Sequence, residues 1–325
     1  MFFDKFNETI IAKSSNELER KVEFLKELKN KYPDDERINR DLKIAEFGLK
    51  GEKEIEFELK NANIGMYVLH DINLKYEDLT AQIDFVVITR AAIYFIECKN
   101  LFGSITVDSY GNFTREYKYE EKRVKEGFYS PYTQAKRHKE IMRKIWYASH
   151  NKVLTTILSK SFDEWYRELV VISNPKSVLN ISKAPKEIRN KIIKSDSLER
   201  YLKEDINKAN KAYLSNKKEM YDSAVNMLSM HKEIKRDYEK EYQEYLKRDK
   251  EQVKRNLLEF RRNRAKEKNI PENYVFSDAE LEKILEQMPK TIEELENSLF
   301  KIKVICHGKE IIDIINNKAF MDTNR

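Results

Sequence analysis

Three residues whose types and spacing could do chemistry lie close together in the chain: Asp84, Glu97 and Lys99. Glu97 and Lys99 are two apart in Ile93-Tyr94-Phe95-Ile96-Glu97-Cys98-Lys99, a run rich in β-branched and aromatic residues that reads as a strand. Side chains two apart on a strand share a face, so this acid and this ammonium point together while Ile96 and Cys98 point the other way. Asp84 lies in Gln82-Ile83-Asp84-Phe85-Val86-Val87-Ile88, a second strand, and the short Thr89-Arg90-Ala91 link folds the two into an antiparallel hairpin. With Ile88 opposite Ile93, Asp84 falls opposite Glu97; a slip of one residue would send it to the other face. A buried strand with two charged residues suffers a large desolvation cost unless they pair or hold an ion. Two carboxylates and a lysine in this arrangement suit divalent-cation-assisted hydrolysis of a phosphodiester. The carboxylate oxygens would hold the cation beside the phosphate, and the ammonium would orient a water and offset the charge of the transition state. A solvated ion-pair ladder is the other reading of the same three residues.

The elements that must position them are legible around this hairpin. Residues 1–13 read as an irregular or loosely docked start. Ser14 and Glu17 have the spacing of a capping box opening a helix with Leu18, Val22, Leu25 and Leu28 on one face. Pro33-Asp34-Asp35 ends that helix and begins another, which the pattern breaks near Gly48 and Gly51. Met66 to His70 reads as a strand, and Ser104–Val107 with Asn112–Arg115 as a hairpin. Ser130-Pro131 opens a helix through Gln134, His138 and Ile145, and Leu169 to Ser173 is a short apolar run suited to the middle of a sheet. Beyond about 195 the chain is charged and helical. A late alternation, Phe300 to Cys306, reads as an edge strand.

The string Ile83 to Ile88, then Ile93 to Asn100, then Gly103-Ser104-Ile105, resembles the NERD (nuclease-related domain) family of the PD-(D/E)xK superfamily. Gly48, Gly51 and Glu52 are similar to the family's opening glycine-glutamate helix. Ser130-Pro131-Tyr132-Thr133-Gln134 is similar to its Asn-Pro-x-x-Gln helix start, and Val170 to Pro175 to its later core strand. The chain departs from the pattern at Ala91-Ala92, Phe113 and Ser130, none of which is an acid or lysine of the proposed set. The resemblance implies an α/β, restriction-endonuclease-like fold: a central mixed sheet flanked by helices. It implies that Asp84 and Glu97 are the metal ligands, that the backbone carbonyl of Cys98 adds an oxygen, and that Glu52 completes the site from its helix. Lys99 would orient the attacking water and Gln134 would contact the site. Mg²⁺ or Mn²⁺ would be the cofactor and DNA the substrate. The expected organisation is an N-terminal helical segment (1–44), the nuclease-like domain (45–205) and a charged helical region (206–325).

Composition sets the remaining bounds. The 325 residues are 40% hydrophobic, with 16 Phe and 18 Tyr, so a sizeable core can form. Only 7 Gly and 6 Pro, with 36% charged residues, favour helices with solvated faces. Two cysteines without metal-ligand spacing fit a reducing cytoplasm, and no segment has the composition of a signal peptide or a membrane span. The net charge of +6 fits a nucleic-acid partner without requiring one. Arg115, Arg137 and Lys144 are candidates for phosphate contacts. A second basic run, Lys247, Arg248, Lys250, Lys254, Arg255, Arg261, Arg262, Arg264 and Lys266, could grip a duplex backbone but reads slightly better as the solvated face of a long helix. The five histidines, His70, His138, His150, His231 and His307, are scattered and read as surface or polar-core residues. No phosphate-binding Gly-rich loop is present. The alternatives to an enzyme are a catalytically silent nucleic-acid or protein binding module on the same fold, and a helical interaction protein, homo-oligomeric or bound to another chain.

Overall fold

The computed structural model describes residues 6–119, 122–149, 161–234 and 236–316, apart from the side chains of Tyr119 and Arg248; His150 lies outside them. The chain divides into two compact units, residues 1–235 and 236–325. The first therefore runs past 205, because helix α5 (Lys217–Met230) packs Met220, Ala224 and Met227 into its core.

Among the described residues the first unit has two sheets. The larger runs in the order β1 (Thr9–Lys13), β2 (Met66–Tyr76), β3 (Leu79–Ile88), β4 (Ile93–Lys99), β8 (Tyr166–Ile172) and β10 (Ile192–Lys194). β2, β3 and β4 are antiparallel, whereas β1 joins β2, and β8 joins β4, in parallel. Helices α2 (Glu36–Asn61) and α4 (Leu198–Lys208) cover one face through Ile55, Leu59, Leu198 and Leu202. Helix α3 (Pro131–Ser149) and α5 cover the other through Ile141, Met142, Trp146 and the α5 residues named above. The second sheet, β7 (Lys122–Phe128), β6 (Phe113–Tyr119), β5 (Gly103–Val107) and β9 (Ser177–Asn180), packs Ile105, Val107 and Phe113 against Tyr132 and Ala135 of α3. This is the expected mixed α/β core flanked by helices, with a helical C-terminal region.

Four local expectations need correction. Residues 9–13 are not irregular: Thr9, Ile10 and Ile11 pair with Met66, Tyr67 and Val68. The Ser14–Glu17 box does not form. Lys13 is tied to the carbonyls of His70 and Asp71 and Ser15 to the Asp71 carboxylate, so α1 (Glu17–Lys31) starts later, with Asn16 at its N-cap. α2 does not break at Gly48 or Gly51, since its buried stripe Ile38, Leu42, Ala45, Ile55, Leu59 continues through both. Finally, Phe300–Cys306 is not a strand. It opens α8 (Lys301–Ile315), whose buried residues Val304, His307, Gly308, Ile311, Ile312 and Ile315 keep helical spacing.

The second unit has its own core, in which Val253 and Leu257 of α6 (Gln243–Lys268) meet Leu281 and Ile284 of α7 (Asp278–Gln287) and Ile311 of α8.

Candidate active site

β3 and β4 pair in the register Ile88↔Ile93 to Phe85↔Ile96, so Asp84 and Glu97 are level just past the last paired residues. A local distortion makes room there. On β2–β3 the ladder runs His70↔Phe85 and then Ile72↔Ile83, leaving Asp71 and Asp84 unpaired, and Asp71 has a left-handed φ of 57°. Side-chain alternation breaks at the same height. Leu69 and Ile72 both face α3, as do Ile83 and Val86, whereas Val68 and Phe85 face α2. A non-glycine residue in that backbone region is uncommon and is held only where its surroundings determine it. Asp71 accepts hydrogen bonds from Ser15 and Gln82.

The released strand ends bring the acids together. The Asp84 Oδ2 accepts a hydrogen bond from the Cys98 N–H at 2.7 Å. Burial, then the Glu97 and Glu52 charges, raise its carboxyl well above the usual range, partly offset by that N–H and by Lys99. Glu97 is 1% exposed. Lys99 Nζ donates to its Oε1 at 2.6 Å, and Oε2, also buried, has no hydrogen-bond partner among the described residues. Burial raises the Glu97 carboxyl too, against the pull of Lys99. Burial works to lower Lys99, but Glu97 and Asp84 outweigh it and hold the ammonium protonated. The Cys98 thiol is pushed well up by burial and lies toward Ser173, so it is no thiolate ligand. Its N–H points to the β3 side; the carbonyl of the same residue leaves the strand on that side as well, beyond the paired ladder.

Glu52 arrives from α2. The helix comes unusually close to the strand ends at Gly51, where a Cβ would stand 2.7 Å from Asn100 Cβ and 2.8 Å from Ser173 Oγ. Glu52 Oε2 is 2.7 Å from His70 Nε2. From the opposite face, α3 places His138 Nδ1 3.8 Å from Glu97 Oε2. Burial and then Lys99 bring His138 down to about 4, so the ring is neutral and this approach is not an ion pair. Gln134 is half-buried one turn before His138, on the same side of α3.

The structure thus gathers Glu52, Asp84, Glu97, Lys99 and the Cys98 backbone; Gln134 shares a side of α3 with His138, and no contact joins it to them among the described residues. It does not bring the three basic candidates to the same point. Arg115 sits on β6, paired with Glu126 and stacked over Tyr117 and Phe102. Arg137 is exposed beside the ring of Tyr129. Lys144 is exposed near Tyr76, about 15 Å along α3 from Gln134. Sequence reasoning missed His70 and His138. The spacing of four from Gln134 could have flagged His138; nothing in the sequence links His70 to Glu52, 18 residues away.

The segment from Phe47 to Ser173 matches the family model NERD, described as nuclease-related domain. Over those residues the chain is similar to that family. The match contains every acid of the site, Lys99 and Gln134, and it ends where β8 leaves the sheet. A second family model, HRDC domain, matches residues 250–315 in the second unit, a region whose sequence reads as charged helices with a late strand. No curated protein and no solved structure matches the chain. NERD suggests a nuclease-related function for the first unit, and HRDC suggests nucleic-acid binding by the second. No helix among the described residues is long and apolar enough to cross a membrane.

Proposed function

We propose that the NERD unit is a metal-dependent nuclease that hydrolyses phosphodiester bonds, with DNA as its substrate. The observation that carries this reading is the buried Oε2 of Glu97, without a hydrogen-bond partner among the described residues and level with the desolvated carboxylate of Asp84. Two such groups side by side are unfavourable unless a proton or a cation sits between them. Among the described residues no group of three or more His, Cys, Asp or Glu side chains is arranged to enclose an ion. Asp84, Glu97 and the Cys98 carbonyl would form a small, all-oxygen donor set. It fits Mg²⁺ or Mn²⁺, which keep much of their shell for water and phosphate, better than a caged ion.

When bound, a divalent cation supplies Lewis-acid charge at the scissile phosphate. Lys99, protonated and anchored on Glu97 Oε1, acts as a donor that orients the attacking water and offsets developing charge; it is not a base. Glu52 faces the same point from α2 and accepts a hydrogen from water there. Buried walls on both faces of the sheet strengthen each of these interactions.

Cleavage of end-labelled DNA by the full chain tests this, with Mg²⁺, with Mn²⁺ and with chelator. The expected result is metal-dependent cutting that falls at least about 100-fold in both Glu97→Gln and Lys99→Met, the size of loss typical when one charge-stabilising group is removed. Undiminished cutting by both variants would remove this site from the account. DNA binding without cutting in any metal would favour the silent binding module, which the HRDC match makes the specific alternative.

A further inference from the structure

Glu52 has three side-chain torsions and stands on a helix face, yet its carboxylate is not free to swing. His70 Nε2 holds its Oε2 at 2.7 Å. His70 is 8% exposed, and its ring lies flat on Phe85, with centroids 4.5 Å apart and planes 5° from parallel. Phe85 is itself fixed, paired with His70 across β2 and with Ile96 across β4, and it is the residue next to Asp84. One rigid stack therefore links the backbone of the Asp84 strand to the helix-borne acid. Gly51 brings the α2 backbone close; among the described residues it is the imidazole that holds the Glu52 carboxylate where it points.

We propose that His70 is the positioning residue of this site. It aims Glu52 at the point where Asp84 and Glu97 meet, and the site's affinity for a divalent cation depends on it. The proposal rests on the cation-binding reading above. A carboxylate only accepts hydrogen bonds, so Nε2 carries the hydrogen in this contact and a neutral ring suffices. Outer-shell partners of a metal site typically account for about 10–100-fold in metal affinity. Without the bond, ordering the free Glu52 side chain would cost entropy at the moment of binding.

The test is a titration of Mn²⁺ alone into the full chain, without nucleic acid, reading free Mn²⁺ by its paramagnetic resonance signal. Thermal unfolding of every variant is followed in parallel. His70→Phe keeps the stack and loses the bond; it is expected to weaken Mn²⁺ binding by about 10-fold or more, with a far smaller change in unfolding. His70→Gln, which returns a nitrogen near the Nε2 position, is expected to recover most of the affinity. Glu52→Gln should weaken binding similarly, and His70→Phe added to it should do nothing more. Wild-type Mn²⁺ affinity in His70→Phe, while Glu97→Ala abolishes binding, would overturn the role of His70 and leave the cation site standing. Unchanged binding in Glu97→Ala would overturn both. Should His70→Phe fail to fold, His70→Gln against His70→Asn decides, because only the longer amide reaches Glu52; equal affinities would overturn the proposal.

Discussion

His138 closes the site from α3 as a neutral ring, and its neutrality has a cost that pH reveals. Burial first, and Lys99 second, bring its pKa from 6.5 down to about 4. Between those values the unfolded chain takes up a proton that the folded chain refuses, so this stability is fully present above about 6.5 and is lost as pH falls toward 4. The gap corresponds to about 3 kcal/mol, of which about 2 kcal/mol should be lost between pH 7.5 and 5. Urea unfolding at those two pH values is the measurement. His138→Leu is expected to flatten the dependence by that amount, and equal slopes in variant and wild type would refute a neutral buried ring. Asp84, Glu97 and Lys99 were readable as a candidate set from type and hairpin spacing, with a solvated ion-pair ladder as the other reading, whereas Glu52 entered only through the resemblance to the nuclease-related domain. The two histidines were not readable: an isolated histidine carries no periodic signal, and what makes His70 and His138 matter is burial against Phe85 and Lys99 from other elements.

At the level of elements, the site depends on how closely α2 can lie on the ends of β4 and β8, and Gly51 sets that distance. A Cβ there would meet Asn100 Cβ at 2.7 Å, Ser173 Oγ at 2.8 Å and Cys98 Sγ at 3.2 Å. Gly51→Ala gains about 1 kcal/mol of helix propensity. Overpacking against backbone-anchored neighbours costs about 1–3 kcal/mol and moves the helix outward. The sum is expected to be a loss of about 1 kcal/mol in stability, accompanied by a larger loss of cleavage, since Glu52 moves with the helix. Thermal unfolding and single-turnover cutting on the same preparation check it; a stabilised variant with full activity would refute the close approach. The hairpin register was legible because one slip would have buried Asp84 on the wrong side. The ends of elements were less so. Gly48 and Gly51 looked like breaks, although here glycine marks contact, and the window Phe300–Cys306 alternated over too few residues to show the helical period that appears once it is followed to Ile315. The strand β1 was invisible because a short run is a strand only by virtue of its partner, β2.

At the scale of the whole chain, the proposed chemistry and the nucleic-acid binding that HRDC suggests fall in different units, each with its own core. Along α6, many basic residues are already committed: Lys254 to Glu282, Arg261 to Asp278 and Arg264 to Glu310. Arg255, Arg262 and Lys266 are exposed and have no acidic partner among the described residues. Their spacing of seven and four puts them on one side of the helix. A row of exposed cations on a unit that matches HRDC is suited to a run of backbone phosphates, and each phosphate neutralised should release counterions. Replacing all three by Gln in the full chain is expected to flatten the slope of log K against log salt for duplex DNA by about 2 to 3. It should raise the KM for cleavage while leaving kcat near wild type, because the carboxylates and Lys99 of the NERD unit are untouched. Binding measured across a salt series, with cleavage at saturating substrate alongside, separates the two effects. An unchanged salt slope would mean that this stripe is solvated surface, and a fall in kcat at unchanged KM would mean that the second unit acts on the chemistry and not on the grip.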